Sequence, residues 1–278
     1  MRTAWKQMHI PLALGIAAAV LVLVAVAPSL TQQPVGRSQD QGGQPKKAAD
    51  SRPSSELVVR YRDEPSESTE ARRRMIERDL AGRDVTDEVV LQAMGKVPRH
   101  QFVPAELRGS AYADHPLPIG HEQTISQPYI VALMTQLAGA RKGMRALDIG
   151  TGSGYQAAVL GEICKEVYSI EIVEPLAKEA KKRLADLGYK NITVRQGDGY
   201  QGWPDKAPFD VIIVAAAPDH VPQPLVDQLA PGGKLVIPVG DWYQELLVIE
   251  RDKDGKIHRD RGIGVRFVPM TGEAQKRK

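Results

Sequence analysis

A chain of 278 residues with a single cysteine, Cys164, can form no internal disulfide and no metal site built from several thiolates. Set in "GEICKEV", that cysteine reads as a small buried apolar residue. Histidine is scarce too, and His100, His115, His121, His220 and His258 show no ligand spacing such as H-E-x-x-H, so no metal is expected. No G-K-[ST] accompanies the glycine-rich stretch, which excludes a phosphate-binding P-loop. Positive charge is missing where nucleic acid would need it. The net charge is +3, but the first 80 residues carry 12 Lys/Arg against 9 Asp/Glu, and the terminal "KRK" adds three more positive charges. Residues 81–275 are left at −3, the wrong sign for a surface that tracks phosphates, so no nucleic-acid partner is expected.

The N-terminus reads apart from the rest. After Arg2 and Lys6, "IPLALGIAAAVLVLVAVAPSL" runs about twenty residues without a charge, long enough to span a bilayer or to form a signal-peptide core. Residues 1–30 are therefore expected to be a signal peptide or membrane anchor, with membrane contact through residues 10–30 if the segment is kept. Ala25-Val26-Ala27 has the form of a cleavage site, but Pro28 after the scissile bond favours an uncleaved anchor. Residues 31–68, rich in Gln, Ser, Pro, Gly and charge, bury too little apolar surface to order themselves and read as a disordered linker. With 42% hydrophobic residues the chain has material for one substantial core, expected over residues 69–278 as a monomer.

Within that core, "STEARRRMIERDL" and "TDEVVLQAMGKV" read as two short packing helices, the second with Thr86 as a possible N-cap. "QPYIVALMTQLAGA", residues 127–140, reads as a longer helix with Pro128 in its first turn. From Met144 the pattern alternates between strands and helices. "MRALDIG", "EVYSIEIV", "NITVRQGD", "FDVIIVAAA" and "GKLVIPVG" are strand-like, with helical "SGYQAAVLGEIC", "EPLAKEAKKRLADLG" and "PQPLVDQLA" among them. Such alternation predicts an α/β fold, a mostly parallel sheet with helices on both faces. "QELLVIERD" and "IGVRFVPM" have no helix between them and predict antiparallel strands at one edge, while the first helices form an N-terminal cap.

In such a sheet ligands bind beyond the carboxyl ends of the strands, where the strand order reverses. "RALDIGTGSGYQ" falls there. Gly150, Gly152 and Gly154 permit positive φ and close approach of a ligand to the main chain, although a tight turn alone would also use them. The spacing is G-x-G-x-G, not the dinucleotide G-x-G-x-x-G, and Asp148 precedes the first glycine by two residues. This D-x-G-x-G-x-G form resembles the first motif of S-adenosylmethionine-dependent methyltransferases. Glu171, at the end of the next strand, is placed to accept the ribose hydroxyls, and Asp198 in "GDG" to accept from the adenine amino group. Either alone is also an ordinary surface acid; three acids at three successive strand ends favour a nucleotide.

The fourth strand ends in "AAAP", with none of the N-P-P-Y groups that hold an exocyclic amine. The chain instead resembles the protein-L-isoaspartate O-methyltransferases through "VPRHQFVP", "GHEQTISQPY", "LDIGTGSGYQ", "GDGYQGW", "FDVIIVAAAP", "LAPGGKLVIPVG" and "VRFVPM", from about Thr69 to about Gly272. The resemblance implies a Rossmann-like class I methyltransferase fold, S-adenosyl-L-methionine as cofactor, and isoaspartyl-containing proteins and peptides as partners. It implies methylation of the free α-carboxylate of L-isoaspartyl residues, opening repair through a succinimide. It places Ser126 at the catalytic position, with Thr124, Ile125 and Gln127 completing a loop over cofactor and substrate. It adds Gly199 and Thr271 to Asp148, the three glycines, Glu171 and Asp198 as cofactor contacts. His121, beside the loop, is a candidate substrate contact. The long N-terminal extension departs from the usual soluble members.

A carboxylate is already ionised at neutral pH, so its attack on a sulfonium methyl needs no general base, and the lack of a His/Asp pair is no objection. Positioning and exclusion of water then carry the reaction. Ser126 would orient the acceptor, though its residue type also suits a helix N-cap. Two other readings stay open: a methyltransferase for a different carboxylate, and a cofactor-binding module without catalysis. Arg2 and Lys6 favour export of the domain, periplasmic in a bacterium, weakly opposed by Arg37, Lys46 and Lys47, whereas the family resemblance and a cofactor made in the cytosol point to the cytoplasm.

Overall fold

The computed structural model describes residues 57–59 and 64–276. The apolar segment read as anchor or signal, and most of the linker, lie outside them. Among the described residues no helix is long and apolar enough to cross a membrane.

Helix α1 (Ser66–Arg74) runs into a wider π-type turn, Met75–Ala81, that buries Met75, Ile76 and Leu80. Order thus starts before Thr69, and the tether assignment needs correction at its end. Leu57 and Val58 pack on the core, the Val59 carbonyl accepts from Arg72, and the buried Glu64 carboxylate lies 2.7 Å from Arg72 Nη2. Composition averaged over the linker hid these few anchoring residues. Helix α2 (Glu88–Lys96) is capped by Asp87, whose side chain accepts from the Val89 N–H at 3.0 Å. Thr86, the expected cap, instead gives its N–H to Gln136 Oε1, which also takes the Asp87 N–H.

Strands β1 (Leu117–Gly120) and β2 (Gln123–Ile125) form a hairpin, followed by α3 (Pro128–Leu137). Then β3 (Arg145–Ile149), α4 (Tyr155–Ile163), β4 (Glu166–Glu171), α5 (Glu174–Asp186) and β5 (Ile192–Gln196) make one half of the main sheet. The other half is β6 (Phe209–Val214), α6 (Gln223–Asp227), β7 (Leu229–Val239), β8 (Gln244–Arg251) and β9 (Ile257–Val265), with a last turn, α7 (Glu273–Lys276). The seven strands are ordered β5-β4-β3-β6-β7-β8-β9; pairs from β5 to β7 are parallel, and β8 is antiparallel to both neighbours. The order reverses between β3 and β6, which opens the crevice at their carboxyl ends.

Side chains alternate across a strand, so each strand feeds two cores. Ala146, Val211 and Ile213 join the core under α2, α3 and α4, while Leu147, Ile212 and Val214 join the opposite core with Tyr200, Trp203 and Leu225. Helices do lie on both faces, but unequally: among the described residues the second face carries α6, α7 and short 3₁₀ turns. The late strand differs from the expected "IGVRFVPM". It ends at Val265, and residues 266–271 leave the sheet edge to cross back over its carboxyl side, where Pro269 bridges to Ala217 beside β6. The Gln244 side chain fixes this path, donating to the Phe267 carbonyl at 3.1 Å and accepting its N–H at 2.6 Å.

Candidate active site

The turn after β3 has φ of +87° at Gly150, +51° at Gly152 and +91° at Gly154, a left-handed conformation at every second residue that side chains other than hydrogen strain to adopt. Its N–H groups are spoken for in an ordered way. Gly150 donates to the Ile170 carbonyl at 2.9 Å, and Gly152 donates to Glu171 Oε2 at 2.7 Å. Glu171, at the end of β4 and only 5% exposed, takes the Val173 N–H on its other oxygen at 2.9 Å. A carboxylate has about four lone-pair positions, so two remain for hydroxyls. Glu171, Gly150 and Gly152 all line one cleft of about 1030 Å³, counting its open mouth.

Asp148 lies beneath this turn, fully buried and outside the lining. One of its oxygens accepts from Ser169 Oγ at 2.7 Å, the other has no partner, and Ser169 in turn meets Thr151 Oγ1 at 2.5 Å. Burial, with the Glu171 charge adding to it, pushes the Asp148 carboxyl up to about 7. Its place is to support the turn from below. Gly154 also drops out of the lining: a Cβ there would come within 3.3 Å of Leu184 Cδ1, so it serves the close packing of α4 on α5.

Across the cleft stand Ala215 and Ala216 after β6, residues 268–271, and Gly199. A Cβ on Gly199 would sit 2.3 Å from Ile149 Cγ2, so the backbone must be bare there for β3 and this turn to approach. Thr271 lines the cleft as expected. Asp198 does not: its carboxylate accepts from the Tyr200 N–H at 2.9 Å and the Glu273 N–H at 2.7 Å, tying the carboxyl-terminal turn to the sheet. This acid at a strand end staples two backbone N–H groups.

The third wall is Gln123 to Ser126. The N-cap of α3 is Gln127, whose own side chain makes no capping bond, so the helix-cap role weighed for Ser126 is not used. Gln127 leaves the lining because its Nε2 donates to Asp114 Oδ2 at 2.7 Å, while Asp114 Oδ1 takes the Tyr129 N–H at 3.0 Å. His121 sits exposed at the hairpin tip with φ +52°, away from the lining. Arg99 holds the loop from the protein side. Its guanidinium donates to the Ala111 and Ser126 carbonyls, both at 2.7 Å, and lies 4.7 Å over the ring of Tyr155, a cleft residue. It is fully buried, and desolvation lowers it to about 10. Nothing in "VPRHQFVP" itself marks Arg99 for this task. Tyr155 and Gln156 were missed because they follow the glycines inside an apolar helical run that reads as core.

Residues 70–275 match the family described as protein-L-isoaspartate(D-aspartate) O-methyltransferase. The chain belongs to this family. Among its relatives, a protein-L-isoaspartate O-methyltransferase of Opitutus terrae is 56% identical over 206 residues, covering 74% of this chain and 88% of the relative. One from Syntrophobacter fumaroxidans is 56% identical over 204 residues, 73% of this chain and 95% of its own. A solved protein-L-isoaspartate O-methyltransferase superposes with a TM-score of 0.66 at 30% identity, over 73% of this chain and 67% of that one. A methyltransferase of the same family from Plasmodium falciparum, solved with S-adenosyl-L-homocysteine, gives 0.63 at 28% identity over 75% and 99%. The match spans the cleft and all its walls. The Rossmann-like class I architecture is thus a property of this isoaspartyl methyltransferase family member.

Proposed function

We propose that this enzyme transfers the methyl group of S-adenosyl-L-methionine to the free α-carboxylate of L-isoaspartyl residues in damaged proteins, and that Ser126 orients the acceptor. The observation that carries the assignment of roles is that Ser126, Glu171 and the Gly150–Gly152 turn line one cleft, with Ser126 held through its carbonyl by Arg99. The cleft fits the cofactor. The glycine turn admits a ligand against the main chain, Glu171 keeps two acceptor positions for vicinal hydroxyls, and Ile149 with Ile170 offers an apolar floor.

When bound, S-adenosyl-L-methionine supplies an electrophilic methyl on a sulfonium. The chain supplies placement. Ser126 Oγ–H donates to one carboxylate oxygen and leaves the other to face the methyl. The Arg99 fork holds the Ser126 carbonyl and the Asp114 carboxylate holds Gln127 and Tyr129 just after it, so the hydroxyl keeps its place without reorganisation. No group needs to accept a proton, because the acceptor enters ionised. Opposite charges neutralise during transfer, so apolar walls at Ile125, Val131 and Met134 that exclude water favour the reaction.

The uncharged run at residues 10–30 supports a membrane tether for a catalytic domain that works as a monomer; sedimentation of the full chain with membranes and size-exclusion of the domain check both. Methyl-labelled cofactor offered with an L-isoaspartyl peptide, and with the same peptide carrying L-aspartate, tests the function. Label is expected on the first and little on the second, because the aspartyl carboxylate is one methylene further from the backbone and loses in-line alignment. Equal labelling refutes the repair reading, and binding without transfer would leave a cofactor-binding module. Ser126→Ala is expected to lower kcat with cofactor affinity unchanged; full activity would remove the serine from the mechanism.

A further inference from the structure

Trp242 and Tyr243 stand exposed at the tip between β7 and β8, Trp242 at 102% and Tyr243 at 73%. Two adjacent aromatics in solvent are unusual, because nothing in the fold recovers their burial. The tip is built tightly: a Cβ on Gly240 would lie 2.0 Å from the Tyr243 carbonyl oxygen, so only glycine permits this turn. The tip also lies on the carboxyl side of the sheet, the side of the cleft.

Two ties join the tip to the cleft wall, and a third joins the two wall segments to each other. The Gly240 N–H donates to the Pro218 carbonyl at 2.9 Å, two residues beyond lining residue Ala216. Gln244, next to Tyr243, clamps both backbone groups of Phe267, next to lining residue Val268. Ala217 exchanges hydrogen bonds with Val268 and Met270, closing the triangle. The aromatic tip, the loop after β6 and the returning segment therefore form one hydrogen-bonded shelf, and Trp242 is its exposed outer end.

We propose that Trp242, with Tyr243 beside it, is a docking subsite for an apolar or aromatic side chain flanking the isoaspartyl residue in an extended polypeptide substrate. The inference rests on the function proposed above. The occupant follows from continuity. A polypeptide whose modified residue enters the cleft must run out over its rim, and this shelf is a rim fixed to two of the cleft's walls. Neighbouring strands lie about 4.8 Å apart and an extended chain advances about 3.4 Å per residue, which sets Trp242 roughly two to four residues from the modified position. An aromatic face there binds any apolar side chain without demanding a sequence, which suits damage arising at unrelated sites.

The test uses the full-length protein and peptides of glycine and serine with one central L-isoaspartyl residue, carrying a single leucine at each position from four before to four after it. One position two to four residues away is expected to lower KM about tenfold with kcat unchanged, and Trp242→Ala to abolish that gain while changing the leucine-free peptide less than twofold. Trp242→Phe should keep most of it, and cofactor affinity should not move in either variant. A flat leucine scan on a wild-type enzyme that methylates the leucine-free peptide would overturn the subsite and leave the activity standing. No methylation of any isoaspartyl peptide would instead fail the proposed function. The emission that Trp242→Phe removes from the wild-type spectrum should shift to the blue on adding the leucine peptide; a shift of that difference signal with anionic phospholipid vesicles and none with peptide would make the tip a membrane contact and overturn the proposal.

Discussion

Replacing Asp148 with asparagine should make the protein less sensitive to alkaline conditions. The Asp148 carboxyl is fully buried and its pKa stands at about 7, raised from 3.8 chiefly by desolvation. The folded chain therefore keeps a proton that the unfolded chain has released from about pH 4 upward, and stability drains as pH rises from 4 to 7. About three pH units at 1.36 kcal/mol each set a ceiling of about 4 kcal/mol on this loss, roughly 3 kcal/mol of it between pH 5 and pH 8. The asparagine side chain can still accept from Ser169 through its amide oxygen, while its NH₂ replaces an oxygen that has no partner. Asp148→Asn should thus be equal to or less stable than wild type at pH 5 and gain on it by about 3 kcal/mol at pH 8, roughly 1 M in urea midpoint. Urea unfolding of both proteins at each pH measures the difference, in which every other titrating group cancels. A gap that stays constant from pH 5 to pH 8 would show that Asp148 is ionised throughout and refute the reasoning.

Glu171→Gln should raise the cofactor dissociation constant by about 10- to 100-fold, since the amide turns an NH₂ toward the Gly152 or Val173 N–H and gives up acceptor positions; titration calorimetry reads it. Arg99→Lys keeps a charge but cannot serve the Ala111 and Ser126 carbonyls together. Peptide KM should rise about tenfold while calorimetry shows cofactor affinity unchanged, and a variant losing both equally would make Arg99 a general core residue. Removing residues 1–48 should leave methyl transfer intact, whereas removing residues 1–64 takes the carboxylate from buried Arg72 and should cost about 3–5 kcal/mol, seen as a lower Tm.

The five parallel strands were legible because each holds a short apolar run closed by polar or glycine residues, and their alternation with helices admits few topologies; the short β1–β2 hairpin was not. The glycine turn and Glu171 were legible because their chemistry is local: a spacing, then an acid at the end of the next strand. What could not be read depends on partners far along the chain. Nothing local shows that the Asp198 carboxylate also takes the Glu273 N–H, 75 residues later. Gln127 was given to the cofactor because it follows Ser126, yet Asp114 draws its side chain away. Gly154 belongs to the motif by spacing, but its reason is the neighbouring Leu184 on another helix. Arg99 lay in a quoted motif, and only the fold brings it under Ser126. The path of residues 266–271 was read as strand because "VRFVPM" is apolar and branched, a pattern that does not tell a paired strand from a segment laid across strand ends.

That crossing segment sets when the enzyme can begin to work. Every strand of the sheet is complete once Val265 has been made, and the glycine turn is finished more than a hundred residues earlier. The far wall at residues 268–271 is made only after the last strand of that sheet. A nascent chain can thus assemble its sheet while still unable to hold a methyl donor. The same ordering makes one point of the mature enzyme sensitive: a protease cut near residue 266 would part this wall of the cleft from the strand that leads into it.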